Sequence, residues 1–311
     1  MAGRRFVYGP VPSRRLGFSL GVDILPFKTC TLDCIYCQLG STRKTVLRRG
    51  SWFPPEEILS QVKGALDSGR KIDAITFSGS GEPTLNRDIG RLIRAIRKMT
   101  RIPVVVLTNG TLLYRADVRR DLAAADIVVP SLDAVPEILF RRVNRPHRSL
   151  RSERIIEGLA RFREEFRGEI WLEVMLVKGV NDSPAHIRAV RRAAERIRPD
   201  RIQPNTVVRP PAESRARPLA ARALQRIRRE LGPRAEVAAS FAKRKQAAGK
   251  GDLEQAVMAA LGRRPMTVED VSVSLGRNRG EVLKALSSLL ARKKVRRVAH
   301  GRKAYFAGAR A

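Results

Sequence analysis

Cys30, Cys34 and Cys37 are the only cysteines in this 311-residue chain, and they fall within one stretch, Cys-Thr-Leu-Asp-Cys-Ile-Tyr-Cys. The spacing is C-x3-C-x2-C. Soft thiolate ligands select iron–sulfur clusters or zinc. Three thiolates on so short a loop suit three irons of a [4Fe–4S] cube and leave the fourth iron open to bind and activate another molecule. A structural zinc site wants four closed ligands. The only histidines, His147, His186 and His300, lie far along the chain. Disulfides would leave one thiol over, and nothing in the sequence signals an oxidising compartment. Zinc stays as the lesser alternative.

The rest of the chain must bring that loop to a scaffold. Apolar, β-rich runs alternate with helical patterns: strands are predicted at 20–25, 73–78, 103–107, 126–132, 169–177 and 201–208. Helices are predicted at 54–68, 87–98, 115–123, 152–166, 184–197 and 218–231. Six strand–helix units predict an α/β fold, a parallel sheet with helices outside. Residues 242–251 are small, basic and unpatterned, as a linker is. Beyond them, helices are predicted at 253–261, 267–275 and 279–292, followed by a hairpin at 295–306. Thr267 and Asp270 form a capping-box-like start, and Gly276 a stop. Helix, helix, helix, hairpin is a winged-helix order whose third helix would be the reader. The predicted units are therefore a large domain at 1–241, a linker at 242–251 and a small domain at 252–311.

The formal net charge is +32, from 62 Lys and Arg against 30 Asp and Glu. Such an excess strains a compact fold by self-repulsion. Contact with RNA or DNA is one reason for it, because phosphate contacts release counterions. An arginine-rich surface with no partner is the other. The stretch 252–311 shares the bias, with thirteen basic residues against five acidic. Arg277, Arg279 and Lys284 at its third helix and Arg296, Arg297, Arg302 and Lys303 on its hairpin favour nucleic acid over protein docking or capping. No apolar run is long enough to span a bilayer. The charged start, Met-Ala-Gly-Arg-Arg-Phe, lacks the apolar region of a signal peptide. Reduced cysteines point to the cytoplasm.

With an aromatic residue, Tyr36, just before the last cysteine, the loop resembles the cluster loop of the radical SAM superfamily. The likeness runs from about Val7 to Ser240, and Tyr-Gly-Pro-Val-Pro-Ser-Arg-Arg-Leu-Gly resembles iron–sulfur oxidoreductases related to wybutosine tRNA enzymes. The resemblance implies a partial (β/α)6 barrel with its active residues at the strand C-termini. It implies a [4Fe–4S] cluster on Cys30, Cys34 and Cys37. S-adenosylmethionine would chelate the open iron and yield a 5'-deoxyadenosyl radical that takes a hydrogen atom from the substrate. An electron donor such as flavodoxin or ferredoxin is implied as well. Wybutosine-forming and methylthiotransferring relatives need further cysteines, which this chain lacks. One cluster and one S-adenosylmethionine remain.

Other motifs fall at predicted strand ends. Ser78-Gly79-Ser80-Gly81-Glu82-Pro83-Thr84 resembles the motif that holds the methionine amino group, with Gly79, Gly81 and Glu82 as candidates; a plain turn is the alternative. A side chain at Gly81 is expected to disturb S-adenosylmethionine and leave iron intact. Asn109, in Thr-Asn-Gly, is a further candidate or a turn residue. Ser131 and Asp133 share a face if their strand persists, and the resemblance makes them ribose contacts; helix capping is the alternative. Glu173, in a buried strand, needs a partner, either an arginine or the substrate. Gln203 and Asn205 fall where the family contacts adenine. No catalytic residue and no substrate is readable, RNA and protein both being candidates. A redox-sensing, nucleic-acid-binding regulator is the alternative from another class.

Overall fold

A computed structural model describes residues 4–237, 253–301 and 303–309. The expected linker at 242–251 and Arg302 lie outside the described residues. Seven strands form one sheet in sequence order: β1 (Val7–Ser13), β2 (Gly17–Val22), β3 (Ala74–Phe77), β4 (Val104–Thr108), β5 (Ile127–Pro130), β6 (Glu169–Leu176) and β7 (Arg201–Thr206). Strands β2 to β7 are parallel, and β1 pairs antiparallel with β2. The parallel strands read as near-continuous apolar runs because helices cover one face and the barrel interior the other. All of Ala74–Phe77 is buried. The fold is the α/β parallel sheet that the alternating pattern predicts, in the partial-barrel form that the resemblance implies.

The crossovers are helical: α1 (Pro55–Leu66), α2 (Ile89–Met99), α3 (Ala116–Leu122), α4 (Glu137–Val143), α5 (Ser152–Glu165), α6 (Pro184–Ile197) and α7 (Ala221–Leu231). In α2, Ile89, Leu92, Ile93 and Ile96 form the buried stripe that the spacing predicts. Two elements depart from the sequence pattern. Strand β1 carries Pro10 and Pro12, which remove ladder donors; it persists because it is a sheet edge. Helix α4 is a short extra turn before α5.

The C-terminal residues form α8 (Leu253–Leu261), α9 (Val268–Leu275), α10 (Arg279–Ala291) and the antiparallel pair β8 (Val295–His300) and β9 (Lys303–Gly308). They bury a core of their own around Val257, Leu261, Met266, Val271, Val282, Leu286 and Phe306. The capping box of Thr267 and Asp270 is present, and Gly276 ends α9 in a left-handed conformation. This unit lies against both edges of the sheet. On the β1 side, Ser274 Oγ donates to Pro10 O (3.2 Å), and Arg70 donates to Gly9 O (2.7 Å) and Ser274 O (2.8 Å). Beyond β7, Tyr305 Oη donates to Val208 O (2.8 Å) and His300 Nε2 lies 3.0 Å from Val207 O. Among the described residues no helix is long and apolar enough to cross a membrane.

Candidate active site

The cysteine loop leaves β2 at its C-terminal end and is clamped on two sides. On one side it meets the exit of β3: Lys28 N–H donates to Ser80 O (2.6 Å), and Glu82 N–H to Thr29 O (2.9 Å). On the other it meets the segment after α4: Asp33 N–H donates to Asn144 O (3.0 Å) and Ile35 N–H to Val143 O (3.0 Å). These bonds satisfy a half-buried loop that has no ladder of its own.

Each sulfur accepts an N–H from a different anchor. Lys28 Nζ lies 3.3 Å from Cys37 Sγ, Asn109 Nδ2 3.6 Å from Cys30 Sγ and Asn144 Nδ2 3.4 Å from Cys34 Sγ. Nothing in the sequence pattern marks Lys28 or Asn144 for this. Lys28 takes a left-handed backbone, and Asn144 closes the unforeseen helix α4. Burial, followed by the nearby Glu82 carboxylate, pushes the Cys30 thiol up to about 12. Burial and then Asp133 push Cys34 well above the ordinary thiol range. Burial thus favours the neutral thiol at Cys30 and Cys34, and added positive charge is needed to hold their thiolates. Coordinated metal supplies such charge and deprotonates a thiol outright. Three thiols on one loop are a soft donor set of the kind that iron–sulfur clusters take.

The glycine-rich exit of β3 is built around this loop. An ideal Cβ at Gly81 would lie 1.9 Å from Thr29 O, and one at Gly79 2.6 Å from Asp23 Cγ. Gly81 is thus required for the cysteine loop to approach, ahead of any ligand. This corrects the expectation that a side chain there spares the iron site. Glu82 is buried, which raises its carboxyl above the usual range. Its Oε1 accepts from Thr84 N–H (3.1 Å), Thr84 Oγ1 (2.6 Å) and Thr108 Oγ1 (2.6 Å), and its Oε2 from Asn109 N–H (2.6 Å). Glu82 therefore ties the β3 exit to the β4 exit and sets Asn109 beside Cys30. Asn109 Nδ2 also donates to Thr31 Oγ1 (2.8 Å).

Asp133 sits behind the loop. It accepts from Tyr36 Oη and Asn144 Nδ2 (2.7 Å) on one oxygen and from Met175 N–H (2.9 Å) on the other. Burial raises its carboxyl to about 6 despite these donors. The three contacts are internal, so Asp133 positions Tyr36 and Asn144 against Cys34. Strand β5 ends at Pro130, and Ser131 continues only as an isolated bridge to Glu173. The half-buried Ser131 hydroxyl has no hydrogen-bond partner among the described residues. Glu173 finds its arginine: Arg15 Nη2 lies 2.8 Å from its Oε1, and Asn205 Nδ2 donates to the same oxygen at 3.0 Å. Gln203 accepts from Arg15 Nη1 (3.1 Å).

Known proteins are similar to this chain. The profile of the radical SAM superfamily matches residues 24–190. A protein of Brachyspira hyodysenteriae named GTPase Obg is 37% identical over 293 residues, which cover 93% of this chain and 43% of that protein. The chain thus spans less than half the length of that relative. A UPF0026 protein of Synechocystis sp. is 37% identical over 205 residues, covering 66% of this chain and 76% of its own length. Among solved structures, TYW1 with a lysine-pyruvate adduct bound matches with a TM-score of 0.54 and 20% identity, over 72% of this chain and 75% of that one. At that identity the likeness is one of fold.

Proposed function

We propose, from the premise that this chain belongs to the radical SAM superfamily, that it binds one cluster through Cys30, Cys34 and Cys37 and cleaves S-adenosylmethionine at the strand ends. The superfamily uses a [4Fe–4S] cluster and S-adenosylmethionine, and its members are enzymes that generally need a reductant. When bound, the cluster supplies the electron that splits the sulfonium into methionine and a 5'-deoxyadenosyl radical, which takes a hydrogen atom from the substrate.

The observation that carries this reading is the set of three sulfurs, each held by its own N–H donor. Donors aimed at sulfur fix ligand orientation and tune potential. Glu82 and Asp133 hold Asn109, Asn144 and Tyr36 in place. Gly79 and Ser131 are left to face S-adenosylmethionine. Flavodoxin or ferredoxin is the proposed electron source. The test is anaerobic reconstitution followed by dithionite: about four irons per chain and release of methionine with 5'-deoxyadenosine are expected. Alanine at all three cysteines abolishes both. Cleavage that survives that triple replacement overturns the proposal. The redox-sensing regulator has no support among the relatives matched.

A second reading concerns the C-terminal unit, whose element order is that of a winged helix. Arg279, Lys284, Arg296 and Arg297 are all exposed on α10 and β8. Exposed basic residues of this kind suit RNA or DNA.

A further inference from the structure

The two edges of the sheet do not pair with each other, and three guanidinium groups meet where the gap lies. Arg14, in the β1–β2 turn, reaches across to Asn205 Oδ1 on β7 (3.0 Å). Arg209 follows β7, in the loop held by Tyr305 and His300. Arg264 comes from the C-terminal unit, and its Nη2 makes one long contact, 3.4 Å to Pro12 O. Each of the three feels the charge of at least one other.

None of these three has a carboxylate at ion-pair distance among the described residues, whereas neighbouring Arg15 has Glu173 and Arg263 has Asp23. Arg264 Nε is buried with no hydrogen-bond partner. Arg209, half-buried, makes no side-chain hydrogen bond among the described residues. Burial first, and then the guanidinium of Arg264, hold Arg209 at about 10, below arginine's ordinary value. The acids nearby are engaged: Asp270 in its capping box and Glu173 with Arg15 and Asn205. Like charges gathered in a poorly solvated place cost stability unless an anion joins them. Guanidinium forks match carboxylate and phosphate oxygens.

We infer that Arg14, Arg209 and Arg264 form a subsite for an oxyanion, carboxylate or phosphate, carried by the substrate, and that the C-terminal unit closes this subsite by supplying Arg264. The inference rests on the enzymatic reading above. It ties the subsite to the reaction centre through Glu173, which lies close enough to Asp133 to act on its charge, while Asp133 holds Tyr36 beside Cys34. The substrate would then lie between the arginines and the cysteine loop.

The test uses the full, reconstituted chain and two probes, inorganic phosphate and malonate, titrated by calorimetry at constant ionic strength. Saturable binding of at least one probe is expected. Arg209→Gln and Arg264→Gln should each weaken it about tenfold or more, because a charge-assisted contact is lost. Arg222→Gln, at an exposed position of α7, should leave it unchanged. Preference for malonate marks a carboxylate substrate and preference for phosphate a phosphorylated one. Should Arg209→Gln not fold, Arg209→Lys keeps the charge and loses the fork, and intermediate binding is expected. A wild-type chain that binds neither probe saturably, or variants that bind as well as wild type, overturns the inference. Cleavage of S-adenosylmethionine in the same preparations reports separately on the enzymatic reading, so intact cleavage without anion binding removes the subsite alone.

Discussion

Replacing Gly81 with alanine is expected to damage the cysteine loop directly. The added Cβ would sit 1.9 Å from Thr29 O, 2.8 Å from Thr29 C and 3.2 Å from Leu25 Cδ1. Real Cβ atoms essentially never come within 3.0 Å of such atoms, so the β3 exit and the loop must part by 3.0 − 1.9 = 1.1 Å. The atom in the way is backbone and cannot swing aside as a flexible side chain does. Two hydrogen bonds cross that seam, Lys28 N–H to Ser80 O and Glu82 N–H to Thr29 O. Losing both costs about 1–3 kcal/mol. Thr29 is bonded to Cys30, so the shift reaches a cluster ligand, and a displacement of about 1 Å at a reacting centre costs about 100-fold in rate. Iron and sulfide content after anaerobic reconstitution should fall, and methionine release with it, while far-UV circular dichroism stays that of a folded chain. Gly64→Ala, where nothing lies within 4 Å, serves as control and should be neutral or slightly stabilising. Full iron content and wild-type cleavage in Gly81→Ala would refute the reasoning.

Arg49 is buried and donates to Thr84 O, Asn86 O, Asp117 and Asp121; Arg49→Met should cost about 3 kcal/mol by stranding these groups, and an unchanged thermal melt would contradict it. Asp133 titrates at about 6 in the fold against an ordinary 3.8, so its share of stability is fully present below about 3.8 and is lost as pH rises through about 6. Asp133→Asn should therefore flatten the stability–pH curve of the iron-free chain between those values; denaturant titrations with the same slope in both proteins would show that another group carries it. On the C-terminal unit, Arg296→Glu with Arg297→Glu should weaken binding of an RNA or DNA probe, and the deficit should shrink with salt. Equal probe binding across a salt series would assign those residues to protein contact.

The cysteine loop was legible because composition alone isolates it: three thiols, one loop, no others. The parallel strands were legible because burial on both faces demands runs such as Val104–Thr108 and Ile127–Pro130. Strand β1 was not predicted: Pro10 and Pro12 each remove a ladder donor, which a strand tolerates at a sheet edge. Helix α4 hid because it is seven residues long and leaves Ile138 exposed. The motif residues Glu82 and Asp133 were found, but not what they hold. Tyr36 and Asp133 stand 97 positions apart, and no local pattern records a contact of that separation. The same holds for Asn144 on Cys34, 110 positions away.

The charge excess takes on a different meaning once the arginines are placed. Read from composition, +32 points outward, toward a polyanion. In the fold many guanidinium groups point at backbone carbonyls that the partial barrel leaves without ladder partners. Arg4 donates to Leu25 O (2.7 Å) where the cysteine loop begins. Arg119 donates to Leu113 O and Tyr114 O (both 3.0 Å), and Arg163 to Phe166 O (2.5 Å) and Gly168 O (3.1 Å). Arg70 joins β1 to α9 through two carbonyls. Five donors in a rigid fork suit this duty, which lysine, with a compact ammonium, performs less well. Such arginines add to the net charge as a consequence of bonding and carry no implication about a partner. Signs of anions are better sought in the exposed basic residues of α10 and β8, and in the three guanidinium groups at the gap between the sheet edges, which have no carboxylate at ion-pair distance among the described residues. The two sets differ in kind. Exposed charges act through a screened field and suit a long polyanion, whereas Arg14, Arg209 and Arg264 lie among half-buried neighbours and suit one compact oxyanion. Salt should therefore weaken the first kind of binding far more than the second.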